Sequence, residues 1–139
     1  MQEHGKVVVV VDDNAENRKL VSGLLSAYGY IVFAAISGVD CLSLLSRVRP
    51  NLIILDIMMP DMDGFETCRR IRSEPGLRHV PILFLTAYPL AENVQKGLSV
   101  GGSDFIAKPF EIDVLLSRIA FLTAPGARFA PSSARAARR

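Results

Sequence analysis

The sequence predicts a doubly wound α/β domain built on five parallel strands. Three observations carry this: a continuous β-branched run near the start, five apolar runs alternating with five stretches of helical period, and short loops between them. Strict alternation of this kind requires right-handed crossovers and a parallel sheet covered on both faces. Ligands of such sheets sit at the carboxyl ends of the strands.

The elements follow in order. Val7–Val11 is wholly apolar and β-branched, as suits a strand buried on both sides. Leu20, Val21, Leu24, Leu25 and Tyr28 mark one face of a first helix, closed by Gly29. Tyr30–Ala34 reads as the second strand. Val39, Leu42 and Leu45 belong to a second helix that stops before Pro50. Leu52–Leu55 is the third strand and runs into Asp56. After the turn from Pro60 to Gly64, a third helix points Phe65, Cys68 and Ile71 inward and Arg69, Arg70 and Arg72 outward. Pro81–Leu85 is the fourth strand, followed by a helix with Leu90, Val94 and Leu98 on one stripe. Phe105–Ala107 is the fifth strand. Ile112, Leu115, Leu116 and Ile119 fall at i, i+3, i+4 and i+7 of the last helix.

Composition narrows the class. The 139 residues are 50% hydrophobic and 22% charged, a globular balance with enough chain for a real core. No apolar run approaches the roughly 20 residues that span a bilayer, and the N-terminus has no signal-peptide pattern. Cys41 and Cys68 lie among apolar neighbours in helical patterns, so reduced core thiols and a cytoplasmic setting are expected. The formal charge of +2 comes from the end of the chain. Removing Arg128, Arg135, Arg138 and Arg139 from the 16 basic residues leaves 12 against 14 acidic ones, a slightly acidic body. From Ala124 the chain turns to Pro, Ala, Ser, Gly and Arg without periodicity. The expected division is a domain over 1–123 and a flexible tail or linker over 124–139. Four arginines without aromatic interleaving make a weak case for nucleic acid or membrane binding.

The polar residues converge on one rim of this frame. Asp12 and Asp13 follow the first strand, Asp56 the third, Thr86 the fourth and Lys108 the fifth. Three crowded carboxylates repel one another and call for a cation. An all-oxygen set that keeps waters and accepts phosphate oxygens suits Mg²⁺. An ionised Asp beside such an ion can attack phosphorus to give an acyl phosphate. A lysine ammonium and a threonine hydroxyl can then neutralise and bind the transferred group. Asp61 and Asp63 fall in the Pro-x-x-Asp-Gly turn and read as turn and cap residues. His4 and His79 lack ligand partners at useful spacing and read as surface residues.

The strand end Val-Asp12-Asp13 is followed by Leu-Asp56-Ile-Met-Met-Pro60-Asp-Met-Asp-Gly64, then Leu-Thr86-Ala and Phe105-Ile-Ala-Lys108-Pro109-Phe. Together these motifs resemble the receiver domains of two-component response regulators, from about Lys6 to Leu122. The resemblance implies a flavodoxin-like (βα)5 fold with strand order 2-1-3-4-5. It implies that Asp56 is the phosphoacceptor, catalytic with Thr86 and Lys108. Asp12, Asp13, Asp56 and the backbone carbonyl of Met58 would hold Mg²⁺, with Asp12 acting through water. Thr86 and Phe105 would form the switch, although Phe105 also reads as plain core filling. Lys108–Pro109 is expected to be a cis peptide.

Phosphoryl binding would draw Thr86 inward, let Phe105 turn into the space vacated, and change the surface of the fourth helix, fifth strand and fifth helix. In that region Leu90, Val94, Ile112 and Leu116 are expected to be mostly core. The implied partners are a sensor histidine kinase or histidine phosphotransfer protein and a downstream protein target, with a homodimer left open. No nucleic acid or membrane is expected for the domain itself. Such a domain turns over no separate substrate and catalyses only its own phosphorylation and slow dephosphorylation.

Met58 and Tyr88 flank the path of an attacking water, and Met58 offers no group to orient it, so phosphate loss should be slow. Gly102 stands where the family commonly has alanine. An aspartyl-phosphate phosphatase would carry its nucleophile on strand one with a second Asp two residues on, a pattern that Asp13-Asn14-Ala15 lacks. A flavin carrier would need a hydroxyl- and glycine-rich phosphate loop where Asp12-Asp13-Asn14 stands, and no Gly-x-Gly-x-x-Gly is present. The remaining alternative is a receiver-like interaction module that works without phosphorylation.

Overall fold

Among the described residues, five strands alternate with five helices: β1 Val7–Val11, α1 Ala15–Ala27, β2 Ile31–Ala35, α2 Gly38–Leu45, β3 Leu52–Leu55, α3 Gly64–Arg72, β4 Ile82–Thr86, α4 Ala91–Ser99, β5 Asp104–Ala107 and α5 Ile112–Thr123. A 3-10 turn, Pro75–Leu77, precedes β4. The computed structural model describes residues 5–125. The sheet is parallel throughout, with order β2-β1-β3-β4-β5. Fold class and strand order are therefore those expected. Among the described residues no helix is long and apolar enough to cross a membrane.

The alternation of side chains along the strands divides the core in two. Val9, Val11, Ile53, Leu55, Ile82 and Phe84 pack with Cys41, Leu45, Phe65, Cys68 and Ile71 on the side of α2 and α3. Val8, Val10, Leu52, Ile54, Leu83 and Leu85 pack with Val21, Leu25, Leu115 and Ile119 on the side of α1 and α5. The central strands β1, β3 and β4 are almost wholly buried, which is why they read as unbroken apolar runs. Edge strand β2 is apolar too, yet Ile31 and Phe33 stay exposed beyond the reach of α2.

Several helix positions differ from expectation. Leu20, Tyr28 and Val39 are exposed, because α1 and α2 bury only a narrow stripe against an edge of the sheet. Leu90 and Ile112 are exposed as well, at or beside the N-terminal ends of α4 and α5, where the helices overhang the strand ends. Val94 and Leu116 are half-buried. Arg72 turns inward: its guanidinium spans the gap between α3 and the following loops, donating to the carbonyls of Leu77 (2.9 Å), Val80 (2.6 Å) and Gly101 (3.0 Å). Cys41 and Cys68 are buried free thiols as expected. His79 is exposed, while His4 and the tail beyond residue 125 lie outside the described residues.

Candidate functional site

All five rim residues meet at the carboxyl end of the sheet. β1 ends at Val11 and β3 at Leu55, adjacent in register, so Asp12 and Asp56 leave neighbouring strands side by side. Oxygens of Asp12, Asp13 and Asp56 all lie within 4.8 Å of one another, a group able to hold a metal ion. Asp12 and Asp56 are buried and Asp13 is exposed, so the cluster opens to solvent on one side.

Asp12 is fixed locally. The Asn14 N–H donates to Asp12 Oδ1 at 2.9 Å, and Arg18 Nη1 donates to the Asp12 carbonyl at 2.8 Å. Asn14 itself caps α1 by accepting the Asn17 N–H. Sequence reasoning assigned neither Asn14 nor Arg18 a role, although an Asn just before a helical pattern is a cap signal. After Asp56 the chain doubles back, and the Gly64 N–H donates to the Ile57 carbonyl at 2.8 Å. A Cβ at Gly64 would stand 2.2 Å from the Asp56 carbonyl oxygen, so only glycine lets α3 begin this close to the acid. Asp63 caps α3 by accepting the Glu66 N–H, and Asp61 takes a positive φ of 70° in the turn, the duties expected of both.

Lys108 comes in from the far end of the sequence. Its Nζ stands 3.2 Å from Asp12 Oδ2 and 3.6 Å from Asp56 Oδ2. The Lys108–Pro109 bond is cis, as expected. Burial raises the Asp56 carboxyl above its ordinary value; Lys108 opposes this, Asp12 adds to it, and the N–H groups of Ile57 and Met58 oppose it. Thr86 is fully buried and its Oγ1 accepts the Tyr88 N–H at 3.0 Å. Phe105 is half-buried and stacks on Phe84. Met58 and Tyr88 are exposed at the mouth of the site. A groove lined by Leu20, Leu24, Pro109 and Ile112 opens beside Lys108.

Chemically the arrangement offers three carboxylates, two of them buried, that could hold a hard cation, together with an ammonium group and a hydroxyl. The donor set fits Mg²⁺: only oxygen ligands are offered, and the opening leaves room for waters and a phosphoryl oxygen.

Comparison with known proteins agrees with this geometry. Residues 8–120 match the family model described as "Response regulator receiver domain". The chain is 39% identical over 116 residues to response regulator PleD of Caulobacter vibrioides, covering 84% of this chain and 26% of that protein. It is 40% identical over 112 residues to response regulator MprA of Mycobacterium leprae, covering 81% and 48%. Among solved structures, Vibrio cholerae chemotaxis protein CheY4 superposes with TM-score 0.79 at 35% identity, covering 82% of this chain and 95% of that one. The receiver domain of a Syntrophus aciditrophicus signal transduction histidine kinase gives 0.82 at 32% identity, covering 91% and 96%. The chain thus spans a quarter to a half of the length of these curated relatives.

Proposed function

The chain belongs to the response regulator receiver domain family, and from that premise we propose that Asp56 is its phosphoacceptor in a Mg²⁺-dependent phosphorelay. The observation that carries this reading is the meeting of three carboxylates with Lys108 at the strand ends. Asp56 would attack the phosphorus of a phosphohistidine or a small acyl phosphate, forming an O–P bond as the bond to the leaving group breaks. Asp12, Asp13, Asp56 and the Met58 carbonyl would hold Mg²⁺, which when bound supplies charge neutralisation for the transferred group. Lys108 sits where its ammonium can exchange the Asp12 carboxylate for a phosphoryl oxygen. Thr86 would leave the Tyr88 N–H and donate its hydroxyl to another such oxygen, and Phe105 would follow it. The surface of α4, β5 and α5 would then change for a downstream partner.

The phosphodonor would be a histidine kinase or a histidine phosphotransfer protein, seated over the groove beside Lys108. Signalling in the cytoplasm without turnover of a separate substrate fits this scheme. The domain would span residues 1–123, with 124–139 as a tail or linker.

The test is intact mass after incubation with acetyl phosphate. One added phosphoryl group that requires both Mg²⁺ and Asp56 is expected, with Asp56→Asn run alongside. Absence of an adduct together with absence of beryllofluoride binding would overturn the reading in favour of an interaction module independent of phosphorylation.

A further inference from the structure

Beneath α4 three phenylalanine rings form a row. Phe65 of α3 and Phe84 of β4 are tilted, with centroids 5.8 Å apart. Phe84 and Phe105 are direct cross-strand neighbours and stack at 5.1 Å with their planes 30° apart. Two glycines make room for the row. A Cβ on Gly97 of α4 would stand 2.5 Å from Phe105 Cε2 and 3.2 Å from Phe84 Cδ2. One on Gly102 would stand 2.5 Å from Phe84 Cε2 and 2.8 Å from the Gly97 carbonyl oxygen. Neither glycine has a positive φ, so space rather than backbone conformation is what each supplies. A glycine inside a helix weakens it relative to alanine. At Gly97 that loss admits the Phe105 ring.

Thr86 lies two residues beyond Phe84 on β4 and so shares its face of the sheet. Its hydroxyl is held by the Tyr88 N–H while Phe105 is held on Phe84. The coupled movement of Thr86 and Phe105 proposed above must break both contacts.

We infer that Gly97 and Phe84 are positioning residues that form a slot holding Phe105 in its stacked place, and so set the free energy of the switch. This rests on the reading of Thr86 and Phe105 as a coupled pair. A methyl group at position 97 meets the outer edge of a ring that can turn away, so Gly97→Ala should evict Phe105 rather than unfold the chain. Eviction removes a contact that opposes switching, and a ligand that requires switching then binds more tightly.

The experiment is Gly97→Ala in the wild-type and Phe105→Ala backgrounds, with two readouts. The first is the nuclear Overhauser contact between the Phe84 and Phe105 rings in the metal-free protein. The second is affinity for beryllofluoride with Mg²⁺. The expected result is loss of the ring contact and binding tighter by about threefold or more, with no change from Gly97→Ala when Phe105 is absent. Phe84→Leu, which frees Phe105 from its other side, carries the same expectation for affinity if Gly97→Ala folds poorly. Retention of the ring contact, unchanged or weaker binding, or an equal change in both backgrounds would overturn the slot. Failure of the wild-type protein to bind beryllofluoride would instead overturn the phosphoswitch, and the ring contact would still decide the slot.

Discussion

Arg72 Nε donates to the carbonyl of Gly101 at 3.0 Å, tying the last turn of α3 to the turn that leads from α4 into β5. The same guanidinium serves the carbonyls of Leu77 and Val80, and burial lowers its pKa from the usual arginine value. One turn earlier, Cys68 Sγ reaches the Val100 carbonyl at 3.4 Å. Two consecutive carbonyls of the α4–β5 turn therefore hang on α3.

Arg72→Leu should destabilise the domain by about 2–4 kcal/mol, because several part-buried carbonyls lose their donor at once. Arg72→Lys should recover less than half of that, since one ammonium cannot copy the planar fork. Urea unfolding of the three proteins checks the order.

Gly64→Ala should cost about 2 kcal/mol or more, because the new methyl meets backbone at the Asp56 carbonyl, which cannot swing aside as a side-chain tip can. The displaced loop carries Asp56 and Met58, so Mg²⁺ affinity should fall with stability. Gly76→Ala, where the nearest atom is 3.6 Å away at the tip of Arg49, is the matched control and should be near neutral.

The Asp56 carboxyl is raised above 3.8, first by burial. A raised acid binds its proton more tightly in the folded chain, so ionising it costs stability. That cost is absent below pH 3.8, grows as pH rises, and is complete above the folded value. In EDTA, Asp56→Asn should therefore melt above the wild-type protein at pH 7, with the gap closing as pH falls toward 4. A gap that widened on acidification would contradict the burial argument.

Burial pushes the Cys41 thiol up to about 12 and the Cys68 thiol up to about 11. Neither should react with a disulfide reagent at pH 8 in the native protein, since the attacking species is the thiolate. Both should react at once in denaturant. Native labelling at a rate independent of unfolding would refute their placement in the core.

Met58 and Tyr88 crowd the mouth of the site without a carboxamide or carboxylate to orient water. Met58→Asn should shorten the lifetime of phosphorylated protein by several-fold, which loss of the phosphoryl mass over time would show.

Much of this was legible in the sequence. The buried strands β1, β3 and β4 announce themselves as apolar runs, and together with β5 they fix where Asp12, Asp13, Asp56, Thr86 and Lys108 must meet. What period alone could not tell was which apolar helix positions face the core. Leu20, Val39, Leu90 and Ile112 fit the helical stripe yet overhang an edge or a strand end, a matter of how far each helix extends past the sheet. Arg72 reads as outward because arginine usually is, and its partners are carbonyls of loops outside the helix that leave no mark in its period. The need for glycine at Gly64 and Gly97 depends on contacts with Asp56 and Phe105, distant in sequence or set by packing.

Asp12 and Lys108 are 96 residues apart along the chain, and β1 lies inside the sheet between β2 and β3. No fragment can assemble this pair before the last strand has docked. Occupancy of the rim is consequently a vote on the whole folding equilibrium: a ligand at a hundredfold its dissociation constant would deepen the native well by about 2.7 kcal/mol. Amide exchange should then slow in β1 and β3 at the centre of the sheet as well as in the loops around the ligand.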